Sequence, residues 1–177
     1  MKTFIVLLRG INVGGQKKIK MADLKRCLTL AGFQDVETYI QSGNLSCRKE
    51  GLTAKDVEIE VHKAILKHFG FDVPVLALTR EKLKLIMDQN PFAKEEEKSQ
   101  YFVLLKSEPE KDLVDSFNPL HFENEAFQVN HNCVYLCCKA GYGKAKLSNN
   151  LIENKLKVQA TTRNLRTMMK LLEMARS

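Results

Sequence analysis

The order in which the hydrophobic period changes along the first half of the chain constrains the fold more tightly than any other feature of the sequence. Thr3 to Leu8 is a continuous apolar run bounded by Arg9-Gly10, the signature of a buried strand. Met21, Leu24, Leu28 and Ala31 then recur at helical spacing, with Gly32 as a stop and Lys20, Asp23, Lys25 and Arg26 on the wet faces. Val36 to Gln41 and Leu45 to Arg48 are short β-rich runs on either side of Ser42-Gly43-Asn44, residues that tolerate the positive φ of a tight hairpin. Thr53-Ala54-Lys55-Asp56 has the form of a capping box, and Val57, Val61, Ala64, Ile65 and His68 carry a helix on to Gly70. Val73 to Leu78 reads as a further strand, which Pro74 assigns to an edge or a strand start. The resulting order, βαββαβ, predicts a ferredoxin-like half.

A helix from Thr79 to Asp88, patterned on Leu83, Ile86 and Met87, ends at Asn90-Pro91. The charged stretch that follows divides the chain into an N-terminal half (1–90), a linker (91–99) and a C-terminal half (100–177). The second half repeats the plan: strand Tyr101 to Lys106, helix Glu108 to Phe117, strands Ala126 to Asn130 and Cys133 to Cys138, and a helix on Leu147, Leu151, Ile152 and Leu156. A short strand, Lys157 to Ala160, then leads into a terminal helix. Val75-Leu76-Ala77-Leu78-Thr79-Arg80 and Val158-Gln159-Ala160-Thr161-Thr162-Arg163 share Val-x-Ala-x-Thr-Arg, each before a helix. The expected fold is α+β: two ferredoxin-like halves related by duplication, with antiparallel sheets and helices on one face.

With 177 residues, 44% of them hydrophobic, the chain can bury a core as one domain or as two halves. The first apolar run is too short to span a membrane and lacks the cleavage pattern of a signal peptide, which points to a cytoplasmic protein with no membrane partner. Five cysteines without a Cys-x-x-Cys pair indicate neither a disulfide framework nor a zinc site. They read as reduced, small hydrophobes. The four histidines show no metal-ligand spacing, and no cofactor is indicated. A net charge of +7 directs attention to anionic partners, either a phosphate-bearing small molecule or nucleic acid.

Chemistry concentrates in Arg9-Gly10-Ile11-Asn12-Val13-Gly14-Gly15-Gln16-Lys17-Lys18-Ile19-Lys20. Its glycines free the backbone, Arg9 and Asn12 add donors, and the lysines set a positive potential. It is not a nucleotide-hydrolysing phosphate loop, because Gln16 stands where the lysine belongs and no Ser or Thr follows Lys17. In a ferredoxin-like half the first and second strands run parallel with the third between them. The glycine loop and the Gln41-Ser42-Gly43-Asn44 hairpin therefore emerge at the same end. The expected ligand-binding set there is Arg9, Asn12, Gly14, Gly15, Lys18, Lys20, Gln41, Ser42 and Asn44. Two further stretches qualify. Gly141-Tyr142-Gly143-Lys144-Ala145-Lys146 offers Lys144 on a flexible backbone, and Thr161-Thr162-Arg163-Asn164 is read as opening a helix, with Thr162, Arg163 and Asn164 at its positive end.

These motifs, together with Lys18-Ile19-Lys20-Met21 and Thr38-Tyr39-Ile40, resemble the bacterial family catalogued as domain of unknown function 1697. The resemblance spans essentially the whole chain. It implies a two-part α+β protein built on ferredoxin-like repeats and supplies no reaction. Two positions depart from the pattern: Leu165 where an aromatic commonly follows Thr-Arg-Asn, and Ala145 in place of a small hydroxyl residue. The leading expectation is a protein that binds a phosphate-bearing ligand, nucleotide or nucleic-acid backbone, without hydrolysing it. An enzyme using the same cluster and a protein-interaction module are the alternatives. The sequence assigns no catalytic residue and no oligomeric state.

Overall fold

A computed structural model describes residues 2–176. It shows a mixed α+β protein with two four-stranded antiparallel sheets and, among the described residues, six α-helices. The chain divides into two compact units, Met1–Leu85 with Met169–Ser177, and Ile86–Met168.

In the first unit β1 (Lys2–Leu8) is followed by α1 (Met21–Leu30), β2 (Gln34–Tyr39), β3 (Asn44–Lys49), α2 (Ala54–Phe69) and β4 (Val75–Thr79). The sheet order is β2-β3-β1-β4, and every neighbouring pair is antiparallel. β1 and β2 therefore run parallel with β3 between them, so the β1 exit loop and the β2–β3 turn share one end of the sheet.

One face of this sheet carries the core. Phe4, Val6 and Leu8 of β1 and Leu45 and Cys47 of β3 pack with Leu24 and Leu28 of α1 and Val57, Val61 and Ile65 of α2. Each such side chain contributes about 1.5–3 kcal/mol of burial. Strand alternation turns Ile5 and Leu7 to the opposite face, yet they are fully buried too. Burial on both faces explains why β1 is a continuous apolar run instead of an alternating one, and it exceeds the single covered face expected from the pattern. α2 starts at the predicted capping box: the Thr53 N–H donates to Asp56 Oδ2 at 2.9 Å and the Asp56 N–H to Thr53 Oγ1 at 3.3 Å.

α3 (Arg80–Asp88) leads out of the first unit, and the charged stretch after it closes with a 3₁₀ turn, Glu97–Ser99. The second unit comprises β5 (Gln100–Leu105), α4 (Lys111–Phe117), β6 (Glu125–Asn130), β7 (Cys133–Cys138), α5 (Asn149–Leu156) and β8 (Ala160–Asn164), which runs into α6 (Leu165–Met174). Its sheet order, β6-β7-β5-β8, matches that of the first unit. All six residues of β7 are buried, so Cys133, Cys137 and Cys138 are interior on both faces of the strand. Burial pushes the Cys138 thiol up to about 12, and it does the same to Cys47 in β3.

The last strand corrects one expectation. Thr161, Thr162, Arg163 and Asn164 do not open a helix; they are paired in β8, opposite Leu104, Val103, Phe102 and Tyr101. The helix begins one residue later, and Asn164 caps it by accepting the Thr167 N–H at 2.9 Å. The shared Val-x-Ala-x-Thr-Arg is likewise out of register. Arg9 N–H donates to the Pro74 carbonyl and Lys106 N–H to the Gln159 carbonyl at matching points of the two sheets. Val75 therefore corresponds to Ala160 and Thr79 to Asn164, two positions away from the alignment the sequence identity requires. Two residues is one strand period, so the facing of the side chains is preserved while the residues are not equivalent.

Both fourth strands lie at sheet edges, and each has an outward backbone N–H held by a helix carboxylate. Glu58 Oε1 of α2 accepts from Ala77 N at 3.0 Å, and Glu153 Oε1 of α5 accepts from Ala160 N at 2.7 Å.

Candidate functional site

The connection from β1 to α1, residues 9–20, is more than twice as long as residues 106–110 between β5 and α4. Its extra length forms a miniature hairpin. Asn12 N–H donates to the Lys17 carbonyl at 3.2 Å and Gln16 N–H to the Val13 carbonyl at 2.9 Å, with Val13 and Gln16 bridged. Gly14 and Gly15, both at positive φ, form the corner that a type I′ turn needs. Ile11 and Ile19, almost fully buried, anchor the two legs in the core.

Asn12 joins this hairpin to the next turn. Its Oδ1 accepts the Ile19 N–H at 2.9 Å, and its Nδ2 donates to the Ile19 carbonyl at 2.9 Å and to the Gln41 carbonyl at 2.8 Å. The two sequence motifs thus meet as the strand order requires. The β2–β3 turn is clamped from below by Gly43, whose carbonyl accepts the Leu8 N–H at 2.8 Å. A Cβ on Gly43 would lie 2.6 Å from the Leu8 Cβ, and its φ of +75° disfavours any side chain. Gly43 was absent from the predicted set, although its flanks were in it. Asn44 is fully buried, and its Nδ2 donates to Ser42 Oγ at 2.8 Å and to the Tyr39 carbonyl at 3.3 Å, so it shapes the turn from inside.

What remains on the surface at this junction is specific. Gly14, Gly15, Lys18, Lys20, Gln41 and Ser42 are exposed, and Arg9 is half-buried at its base. Lys17 is anchored: its Nζ donates to the Asp72 carbonyl, and Asp72 in turn pairs with His62 at 2.9 Å. The bond to His62 holds the Asp72 carboxyl below the usual carboxylate range. Lys18 and Lys20, both exposed, have no such partner among the described residues. Ile40, between Tyr39 and Gln41, has φ +49°. That conformation is an outlier for a β-branched residue and costs about 1–3 kcal/mol.

Lys144, Thr162, Arg163 and Asn164 belong to the second unit. There Glu125 organises the loop before α5 by accepting the Lys146 and Leu147 N–H groups at 2.7 and 2.9 Å. A carboxylate already fills this amide pair. Glu125 stands at the start of β6, opposite Cys138, and no local sequence pattern marks this role. Lys144 and Glu125 line a hollow of about 130 Å³ together with Glu123 and Lys146. Tyr142 stacks on Tyr101 with centroids 5.0 Å apart and donates to Thr162 Oγ1 at 3.1 Å, while Thr162 donates to Asn149 Oδ1 at 2.7 Å. Arg163 Nη1 donates to Thr161 Oγ1 and to the Thr162 carbonyl, and burial lowers its pKa to about 10. An open groove of about 780 Å³ beside Lys25, Phe33, Asp35, Glu37 and Arg48 holds none of the predicted residues, and Arg48 and Asp35 in it pair at 3.3 Å.

Fold and site together define a class: a two-unit α+β protein whose first unit carries an added hairpin, latched to a second turn and edged with lysines. The chain belongs to the family described as protein of unknown function (DUF1697), whose model matches residues 1–135. A conserved bacterial protein, SP0830 from Streptococcus pneumoniae, has a similar solved structure, with a TM-score of 0.79 over 99% of each chain at 24% identity. That likeness concerns the fold. A comparison with curated proteins finds no match. No described helix is long and apolar enough to cross a membrane.

Proposed function

We propose that the junction of the 12–17 hairpin and the 40–43 turn binds a phosphate-bearing ligand, a nucleotide or a nucleic-acid backbone, without hydrolysing it. One observation carries this reading. Lys18 and Lys20 are exposed and, among the described residues, unpaired, close in sequence to the first of two turns that Asn12 holds together, in a chain whose neighbouring Lys17 is tied down. Long-range attraction would come from the two ammonium groups and Arg9. Close approach would come from Gly14 and Gly15, and orientation from Gln41 and Ser42. Asn12 and Asn44 act by positioning the turns. In the second unit Lys144, Thr162, Arg163 and Asn164 are a subsidiary anion-binding set on the same reading.

The same proposal treats each unit as a ferredoxin-like βαββαβ module and the chain as a duplication. Its support is the shared strand order and the matching backbone bonds, Leu8 to Gly43 in one unit and Leu105 to Asn132 in the other. The binding claim is tested by titrating pyrophosphate and nucleotides into the natural protein and a Lys18→Glu/Lys20→Glu variant. Saturable binding that weakens at least about tenfold in the variant is expected. Equal binding by both proteins would overturn it.

A further inference from the structure

Val13 and Ile40 are apolar side chains left in solvent on the two turns that Asn12 latches. Val13 is 64% exposed and Ile40 52%. They adjoin Asn12 and Gln41, the residues joined by the 2.8 Å bond from Nδ2 to the carbonyl. Ile40 is not what its turn asks for, since its positive φ would be held with less strain by glycine or asparagine. Burial does not account for either residue, since both are left more than half exposed. Two exposed aliphatic side chains on the latched turns, with exposed Lys18 and Lys20 following the same hairpin in the chain, complement a ligand that is partly a flat apolar ring and partly an anion.

Resting on the phosphate-site reading above, we propose that Val13 and Ile40 contact the face of a heterocyclic base, so that the ligand is a nucleotide unit, either free or within a single-stranded nucleic acid. Aliphatic and aromatic side chains both serve as surfaces for an unstacked base. The lysines then hold its phosphate, which positions the unit without reading it.

The test compares pyrophosphate, ADP and a single-stranded oligonucleotide of about twelve residues, titrated into the natural protein, an Ile40→Gly variant and a Val13→Ser/Ile40→Gly variant. Glycine suits the backbone at position 40, so the single variant melts no lower than the natural protein, which a packing role for Ile40 would contradict. The natural protein binds ADP at least about tenfold more tightly than pyrophosphate, and in the double variant this advantage collapses while pyrophosphate affinity is unchanged. An oligonucleotide that outbinds ADP and weakens steeply with salt makes nucleic acid the source of the unit; equal affinity makes it the free nucleotide. Equal binding of ADP and pyrophosphate by the natural protein, or an ADP advantage that survives the double variant, overturns the base contact and leaves the anion site standing. Binding of none of the three probes removes the anion site and this inference together. Capture by phosphatidylserine vesicles with no preference for ADP overturns the inference in favour of a lipid surface.

Discussion

Asn12 donates its side-chain amide to the Gln41 carbonyl at 2.8 Å, across 29 positions of sequence, while its Oδ1 receives the Ile19 N–H. One side chain therefore closes its own loop and fastens that loop to the next turn. Asn12→Ala removes three hydrogen bonds and leaves the Ile19 amide without its acceptor. The expected loss is about 2–3 kcal/mol, read by urea denaturation, together with weaker binding of any ligand held by both turns. Unchanged stability would mean that the latch is dispensable.

Gly43→Ala places a methyl group 2.6 Å from the Leu8 Cβ in a backbone held at φ +75°. Destabilisation of about 2–4 kcal/mol is expected. Gly14→Ala has φ +56° and meets nothing within 4 Å, so it carries only the conformational penalty, about 1 kcal/mol. The contrast between the two midpoints checks which glycine is fixed by packing and which by turn geometry.

Glu125→Ala deprives the Lys146 and Leu147 amides of the carboxylate that accepts them. A loss of about 1–3 kcal/mol is expected, with faster amide exchange confined to residues 139–148. Faster exchange spread over the whole second unit would argue against a local role.

Much of this was legible in the sequence. The period changes gave the order of elements, Thr53-Ala54-Lys55-Asp56 gave the α2 start, and the order alone brought Asn12 to the β2–β3 turn. Three things were hidden for identifiable reasons. Strand β8 is only half-buried, and its Thr-Thr-Arg-Asn composition reads as easily as a helix cap. Repeat register depends on backbone pairing, which a four-residue identity cannot report. The roles of Glu125 and Gly43 depend on residues far away in the chain, Lys146 and Leu147 for one and Leu8 for the other, so no local pattern marks them.

Asn164→Ala should cost about 1 kcal/mol through loss of the α6 cap, read as a lower urea midpoint. Had Thr161 or Thr162 begun the helix, the Asn164 change would have been nearly neutral.

Alkali should weaken the fold through the buried thiols. Cys47 and Cys138 hold their protons up to about pH 12 in the folded chain, whereas unfolded cysteine ionises near 8.5. The folded pKa is the higher one, so the contribution is complete below the unfolded value and disappears as pH climbs from there toward 12. A melting temperature that declines over that range is expected, more gently in Cys47→Ala than in the natural protein relative to their values at pH 7. A flat profile would contradict the burial argument.

The carboxylates of Glu58 and Glu153 have a consequence for how copies of this chain can meet. A foreign strand annealing alongside β4 or β8 would have to evict an acid from an outward amide that its ladder needs. Templated growth of either sheet is stoppered on that side. Any association by strand exchange is steered toward the opposite margins, along β2 and β6.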